Sequence, residues 1–181
     1  MPAPHDDNSS PWVRRFAPLI PAGGRVLDLA CGQGRHSRLL SSLGFQVEAV
    51  DRNPELLLGL AGCKGITTRL ADLESGPWPY FAEVFDGVVV TNYLYRPLLP
   101  HLLKVIEVGG VLIYETFMVG HERLGKPTNP AFLLRSEELL GLVRGRMSVV
   151  AFEQGVIAHP CASLVQRICA VRGSLVLPLP A

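Results

Sequence analysis

A change of pattern marks the segment Val26-Leu27-Asp28-Leu29-Ala30-Cys31-Gly32-Gln33-Gly34-Arg35-His36-Ser37. The apolar run from Val26 to Ala30 has the length and composition of a buried strand. Gly32 and Gly34 interrupt it, and leucines at helical spacing follow. A strand, a glycine turn and a helix in this order place backbone N–H groups and a helix N-terminus over one crevice. The two glycines are expected to let the backbone approach a ligand where a Cβ atom would collide.

The acidic residue in this strand selects between two kinds of ligand. A dinucleotide site requires a small residue three positions after the second glycine and room for a pyrophosphate. Ser37 occupies that position where Gly would be expected, and Asp28, predicted to point into the crevice, would repel a pyrophosphate. A ligand with an ammonium group and a sulfonium centre would instead be attracted by Asp28.

The pattern Asp28-x-Ala30-x-Gly32-x-Gly34 resembles motif I of the class I S-adenosylmethionine-dependent methyltransferases. Ala30 departs from the pattern, because that family usually has its first glycine there. The run from Cys31 to Ser37 is similar to the tellurite-resistance methyltransferase branch. The resemblance covers about residues 10–172, and it implies S-adenosylmethionine as the cofactor.

Further acidic residues stand at the ends of the next two predicted strands. The second strand, residues 46–51, ends in Asp51, whose distance from the glycine turn suits a ribose diol. After the third strand, residues 65–70, the resemblance implies that Asp72 meets the adenine amino group and that Leu73 packs on the ring; a turn cap is the alternative role for Asp72. Arg35 either pairs with the cofactor carboxylate or is a solvated charge. The residues expected to bind the cofactor are Asp28, Ala30, Cys31, Gly32, Gly34, Arg35, His36, Asp51, Arg52, Asp72, Leu73, Thr91 and Asn92.

The methyl acceptor is expected at the ends of the fourth and fifth strands, residues 85–91 and 111–117. Methyl transfer from a sulfonium mainly requires alignment, and a base is needed for an alcohol but hardly for a thiolate. The candidate catalytic residues are Tyr93, Tyr95, Arg96, Glu115, Phe117, His121 and Arg123. Core packing for the aromatic residues and a surface position for His121 are the alternatives.

Residues 117–135 are expected to form a lid, since a long segment rich in glycine and proline is seldom a simple connection. His121, Arg123, Lys126 and Arg135 outweigh Glu122 there, which favours an anionic acceptor. A solvated loop is the alternative.

The remaining pattern predicts one α/β domain over residues 10–174, between a flexible segment 1–9 and a tail 175–181. Ser10 should cap an N-terminal helix that either lies across the mouth of the crevice or only covers the core. Further helices are predicted over residues 55–60, over 97–108 before Gly109-Gly110, and over 137–143 with Ser136 as the cap. Residues 147–154 and 162–172 alternate as an antiparallel pair. The fold predicted is Rossmann-like, a seven-stranded and mostly parallel sheet with one antiparallel strand and helices on both faces.

Composition restricts the function further. The 181 residues are 48% hydrophobic with a formal net charge of +1, so neither a nucleic-acid nor a membrane partner is expected. Residues 1–10 lack an apolar leader segment, and the four cysteines lack metal-ligand spacing, which favours a reducing cytoplasm and no metal. Asn92-Tyr93-Leu94-Tyr95 differs from the Asn-Pro-Pro-Tyr of enzymes that methylate nucleic-acid amines. We therefore expect a monomer or homodimer that methylates a small molecule. Thiols, chalcogen compounds and anions are the candidate acceptors.

Two other classes of function stay open at this point. The chain could bind the cofactor as a non-catalytic partner or sensor. A nicotinamide-dependent oxidoreductase is the other alternative, against which Asp28 and the order of the motifs count.

Overall fold

The computed structural model describes residues 8–159, 161–173 and 180, and these residues form a seven-stranded sheet in the order β3-β2-β1-β4-β5-β7-β6. Neighbouring strands from β3 to β5 are parallel, whereas β7 is antiparallel to both β5 and β6. The strands are β1 Arg25–Leu29, β2 Gln46–Asp51, β3 Ile66–Leu70, β4 Phe85–Thr91, β5 Ile106–Phe117, β6 Ser148–Ile157 and β7 Ser163–Val171. The predicted fold, with one reversed strand, is confirmed.

Helices pack on both faces of this sheet. The helices are α1 Pro11–Phe16, α2 Arg35–Ser42, α3 Pro54–Leu58, α4 Leu99–Lys104 and α5 Glu138–Val143, and short 3₁₀ turns lie at Ala17–Leu19, Arg96–Leu98, His121–Arg123 and Pro130–Phe132. Leu27, Leu112 and the apolar residues of α4 and α5 form the core on one face. Val26, Val111 and the apolar residues of α1 and α2 form the core on the other face. Within the described ranges, no helix is long and apolar enough to cross a membrane.

Ser10 caps α1 as predicted. Its hydroxyl accepts hydrogen bonds from the backbone N–H groups of Trp12 (3.1 Å) and Val13 (3.5 Å), and Pro11 occupies the first helical position. Trp12, Val13 and Phe16 are buried in the core of that face. Ser9, the last residue of the predicted flexible segment, is buried as well. Residues 1–7, 174–179 and 181 lie outside the described residues, and so do most of the two predicted terminal segments.

The predicted helix over residues 97–108 is wrong at its C-terminal end. Helix α4 ends at Lys104, and β5 already begins at Ile106. Gly109 and Gly110 lie inside β5, where Gly109 has a φ of +83° and its N–H donates to the carbonyl of Arg172 (2.8 Å). The glycine pair therefore permits an irregularity in the strand rather than ending a helix.

The predicted capping role of Ser136 is also wrong. Helix α5 begins at Glu138, and the Ser136 hydroxyl lies 3.5 Å from Oε1 of Gln154. The N–H of Leu139 donates instead to Oε1 of Gln166 (2.7 Å). A side chain of β7 thus satisfies the helix N-terminus, which is a tertiary contact that local sequence does not indicate.

Candidate functional site

A cavity of about 340 Å³ lies at the carboxyl ends of the central strands. The sheet order places β1 beside β4, so the chain progresses outward in opposite directions from this pair, and ligands of α/β proteins bind at such switch points. The cavity is lined by Ala30, Asp51, Arg52, Ala71, Asp72, Leu73, Glu74, Asn92, Tyr93, Leu94, Thr116, Phe117, Pro127 and Phe132.

Asp51 at the end of β2 fixes the glycine turn. Its Oδ2 accepts a hydrogen bond from the N–H of Gly32 (2.8 Å), and its Oδ1 accepts one from the N–H of Asn53 (2.9 Å). Each carboxylate oxygen has further lone pairs, so Asp51 can still accept hydrogen bonds from a ligand in the cavity. The neighbouring Arg52 lines the cavity and is exposed.

The two glycines of the turn have different roles. Gly32 has a φ of +56°, and a Cβ atom built on it would meet no atom within 4 Å. Gly34 has a φ of +75°, and its Cβ would collide with the side chain of Leu60. Gly34 therefore has a structural requirement of its own, the close packing of Leu60 against the turn, in addition to its predicted role toward a ligand.

Two residues of the cavity lining that are not glycine have a left-handed backbone conformation. Ala30 follows β1 with a φ of +52°, and Asn92 follows β4 with a φ of +54°. This conformation costs roughly 1–2 kcal/mol for a residue with a Cβ atom, and asparagine tolerates it better than alanine. Backbone strain of this kind is concentrated at functional sites, and here it occurs at the ends of the two adjacent central strands.

Asp72 and Leu73 both lie at the cavity, but the Asp72 carboxylate also caps its own turn. It accepts hydrogen bonds from the N–H groups of Glu74 (2.9 Å) and Ser75 (3.2 Å) and from the Ser75 hydroxyl (2.6 Å). The bond from Ser75 is the largest cause that lowers the pKa of Asp72. The capping role proposed as the alternative is therefore present. Leu73 is buried, and its side chain forms part of the cavity wall.

Asp28 is buried and lies outside the described cavity lining, which corrects its predicted place in the crevice. Side chains alternate along β1, so Leu27 and Leu29 lie on one face while Asp28 lies on the other face under α2. The hydroxyl of Ser37 donates to its Oδ2 (2.5 Å). Burial raises the pKa of the Asp28 carboxyl to about 6, and the hydrogen bond from Ser37 opposes that shift.

Six more predicted cofactor ligands lie outside the cavity lining that the described residues form: Cys31, Gly32, Gly34, Arg35, His36 and Thr91. Arg35 donates to the carbonyl of Asn8 (3.1 Å), which is not the predicted pairing with a cofactor carboxylate. Nε2 of His36 accepts from the N–H of Ser10 (3.0 Å), and its Nδ1 lies 3.1 Å from the Thr91 hydroxyl. Burial lowers the pKa of His36 to about 3. Burial also raises the pKa of the Cys31 thiol.

Of the predicted catalytic residues, Tyr93 and Phe117 line the cavity. The Tyr93 hydroxyl is buried and has no hydrogen-bond partner among the described residues. Burial raises the pKa of Tyr93, so the phenol is protonated at neutral pH and can donate a hydrogen bond. Tyr95 already donates to the carbonyl of Glu74 (3.1 Å) and lies outside the described lining.

Arg96 and Glu115 have structural partners in place of the predicted substrate contacts. Arg96 forms a bidentate pair with Glu138 (2.7 and 2.9 Å) and donates to the carbonyls of Ala131 and Leu133 (2.8 Å each). Glu115 accepts from the Ser10 hydroxyl (2.8 Å) and from Arg167 (3.2 Å). Both charges are thus committed to holding elements together.

The lid segment contributes apolar groups to the cavity rather than cations. His121 is buried behind Phe117, and Arg123, Lys126 and Arg135 are exposed. The predicted positive face is therefore not part of the described lining, whereas Pro127 and Phe132 are. Sequence reasoning did not select these two residues as site residues, although both lie within the predicted lid. Glu74 and Thr116 were also missed, because each only follows a residue that was selected.

The cavity has two chemically different sides, because part of its lining follows β2 and β3 on one side of the β1–β4 pair, and another part follows β5 on the other side. The described charged lining residues are Asp51, Asp72 and Glu74 against Arg52, so three negative charges and one positive charge give a net −2. Phe117, Phe132, Pro127 and Leu94 form an apolar side. A cationic, partly polar ligand matches the first side, and a small apolar or soft group matches the second.

Comparison with known proteins places the chain in a family. Residues 16–111 match the family model described as tellurite resistance protein TehB. The probable S-adenosyl-L-methionine-dependent methyltransferase TehB of Haemophilus influenzae (strain 10810) is 34% identical over 88 residues, which cover 46% of this chain and 31% of that protein. A ubiquinone biosynthesis O-methyltransferase of Burkholderia vietnamiensis is 27% identical over 178 residues, which cover 82% of this chain and 74% of that protein. The chain spans less than half the length of the first curated relatives that it matches.

Solved structures share the fold. TehB from Haemophilus influenzae superposes with a TM-score of 0.74 at 23% identity, covering 89% of this chain and 61% of that one. A TehB-like SAM-dependent methyltransferase from Corynebacterium glutamicum gives a TM-score of 0.64 at 18% identity, covering 90% and 87%. The resemblance inferred from residues 31–37 is confirmed. Because the matched family model extends over more than half of the 181 residues, the chain belongs to the TehB family.

Proposed function

We propose that the protein binds S-adenosylmethionine in the cavity and transfers its methyl group to a small-molecule acceptor. The observation that carries this proposal is the acidic side of the cavity beside an open glycine turn. S-adenosylmethionine has an ammonium, a sulfonium and a carboxylate, and a lining of net charge −2 attracts its net positive charge. The cavity of about 340 Å³ lies within the range of about 300–1,000 Å³ for small-molecule sites.

Residues of the acidic side would hold the cofactor. Asp51 would accept hydrogen bonds from the ribose hydroxyls with the lone pairs that Gly32 and Asn53 leave free. Leu73 would pack on the adenine ring, and Asp72 would lie beside the adenine amino group. The space next to Gly32 admits a ligand close to the backbone.

Bound S-adenosylmethionine supplies an activated methyl group, so the remaining task of the protein is alignment. Phe117 and Tyr93 would frame the acceptor. The apolar side favours an acceptor whose nucleophilic atom is a soft thiol or chalcogen, which needs little help from a base. An anionic acceptor has weaker support, since the cations of the lid segment lie outside the described lining.

Calorimetry tests the cofactor. S-adenosylmethionine and S-adenosylhomocysteine should bind, and NADH should not. Binding of NADH without either adenosyl ligand would contradict the proposal and favour an oxidoreductase.

A screen with tritiated S-adenosylmethionine tests the transfer. The acceptors are benzenethiol, selenite, a primary amine and a small carboxylate. Label should appear in benzenethiol or selenite well above the other two. Cofactor binding with no transfer to any acceptor class would favour the non-catalytic partner or sensor.

A further inference from the structure

His121 stands behind the apolar side of the cavity and does not belong to the described lining. It is 3% exposed and begins the 3₁₀ turn that follows β5. We infer that His121 is a positioning residue for the acceptor, because it holds the two lining residues Phe117 and Pro127, together called the acceptor wall. The role of this wall toward an acceptor rests on the proposed function, whereas the contacts of His121 are independent of it.

The first contact fixes the ring of Phe117. The His121 and Phe117 rings are stacked, with centroids 4.2 Å apart and an interplanar angle of 24°. Phe117 thus has the cavity on one side and an imidazole on another. Stacked aromatic rings attract each other beyond the effect of the area that they bury, so this contact favours the observed orientation of the Phe117 ring.

The second and third contacts use both ring nitrogens. Nδ1 accepts a hydrogen bond from the N–H of Leu164 (3.2 Å), so Nε2 carries the proton and donates to the carbonyl of Lys126 (3.0 Å). Lys126 directly precedes Pro127, so this bond sets the place of the second wall residue. One ring therefore joins the end of β5, the lid segment and the start of β7.

The neighbouring glycine shows that this junction is tightly packed. Gly120 has a φ of +106°, and a Cβ atom on it would lie 2.6 Å from the Leu164 side chain. The turn that carries His121 is thus pressed against β7. Loss of the imidazole leaves the Leu164 N–H and the Lys126 carbonyl without their partner and removes the support of Phe117. The acceptor wall should shift, whereas Asp51 and Asp72 on the opposite side keep their own hydrogen bonds.

Four variants separate the three contacts. In His121→Asn the amide oxygen is near the place of Nδ1 and can accept from Leu164, and in His121→Gln the amide nitrogen is near the place of Nε2 and can donate to Lys126. His121→Phe keeps the ring alone, and His121→Ala removes everything. Leu124→Ala, an exposed position one residue after the same turn, is the matched control.

Amide hydrogen exchange measures the junction without any acceptor. At Leu164, exchange should become roughly five- to tenfold faster in the Ala, Phe and Gln variants, the equivalent of one net hydrogen bond, and should be close to wild type in His121→Asn and Leu124→Ala. Equal exchange at Leu164 in all five variants would overturn the inference, even if the protein proves to be an active methyltransferase.

Kinetics measure the consequence for the acceptor, with the probe that the tritium screen methylates fastest. For His121→Ala, kcat/KM for that acceptor should fall about tenfold, while the Kd for S-adenosylhomocysteine stays within about twofold. His121→Phe should recover part of the loss. An unchanged kcat/KM, or an equal loss of cofactor affinity, would overturn the positioning role. Failure of the wild type to bind either adenosyl ligand would instead refute the proposed function, and the exchange pattern would still decide the contacts.

Discussion

Asp28 should make the protein less stable as the pH rises from about 4 to about 6. Its folded-state pKa of about 6 exceeds the ordinary value of 3.8, so the folded protein binds more protons than the unfolded chain in this interval. The stability that Asp28 contributes is fully present below the pKa of the unfolded state and is lost as the pH rises through the pKa of the folded state. The difference of about two pKa units corresponds to roughly 3 kcal/mol.

The substitution Asp28→Asn isolates this effect. The amide oxygen can still accept the hydrogen bond from Ser37, but it carries no charge, so the pH-dependent loss disappears. Urea unfolding at pH 4, 5, 6 and 7 gives the free energy of unfolding of both proteins. From pH 4 to pH 7, the value for the variant should increase by up to about 3 kcal/mol relative to that of wild type. The other titrating groups are the same in both proteins, so their contributions cancel in this difference.

Ser37→Ala is the matched control, since the Ser37 hydroxyl favours the ionised carboxylate. Its removal should raise the pKa of Asp28 further, so the decline of stability should continue to higher pH. Parallel profiles for wild type and Asp28→Asn would show that the carboxyl titrates equally in both states, which would refute the reasoning from burial.

Four other substitutions, used in three experiments, test the network around the site. His36 has a folded pKa of about 3, so its contribution is present above about pH 6.5 and is lost on acidification; His36→Gln should remove several kcal/mol of that acid sensitivity in urea unfolding. Arg96→Ala and Glu138→Gln should show a coupling free energy of unfolding of about 1–2 kcal/mol in a double-mutant cycle, because the bidentate pair is largely shielded from solvent. Asp51→Ala should weaken binding of S-adenosylhomocysteine on the order of tenfold in calorimetry while the fold survives.

The pairing experiment and the cofactor experiment each have a control in the same chain. The exposed pair of Arg15 and Glu153, 3.9 Å apart, should give a coupling near zero. Glu55→Gln on α3 should leave cofactor affinity unchanged. A pH profile of His36→Gln parallel to wild type, zero coupling for Arg96, or an unaltered Kd for Asp51→Ala would each contradict the corresponding role.

The central strands and the glycine turn could be predicted because their signals are local. The apolar run before Gly32 and the acid at the end of β2 are properties of a few neighbouring residues. The structure places Asp51, Asp72, Tyr93 and Phe117 at one cavity, as strand ends in a parallel sheet require.

The roles that could not be predicted depend on partners distant in sequence. Arg96 is a typical candidate for binding an anion until Glu138, 42 residues away, is known to pair with it. Gly34 matches a ligand-binding pattern, but its constraint comes from Leu60. His121 is likewise engaged by Leu164, 43 residues later. In each case a residue suited to a ligand site has its structural reason in another part of the protein, and sequence alone does not distinguish the two.

The position of β7 has a consequence for how the protein is made. This strand, Ser163–Val171, comes last of the seven in the chain, yet it lies inside the sheet between β5 and β6. Several of its residues contact parts of the chain that the ribosome produces much earlier: Leu164, Gln166, Arg167 and Ile168. Synthesis proceeds from the N-terminus, so a growing chain can form the cofactor side of the cavity before these residues emerge, but it cannot fix His121 or complete the sheet until they do. Premature termination before β7 should therefore leave β5 and β6 with unpaired edges, which are prone to aggregation.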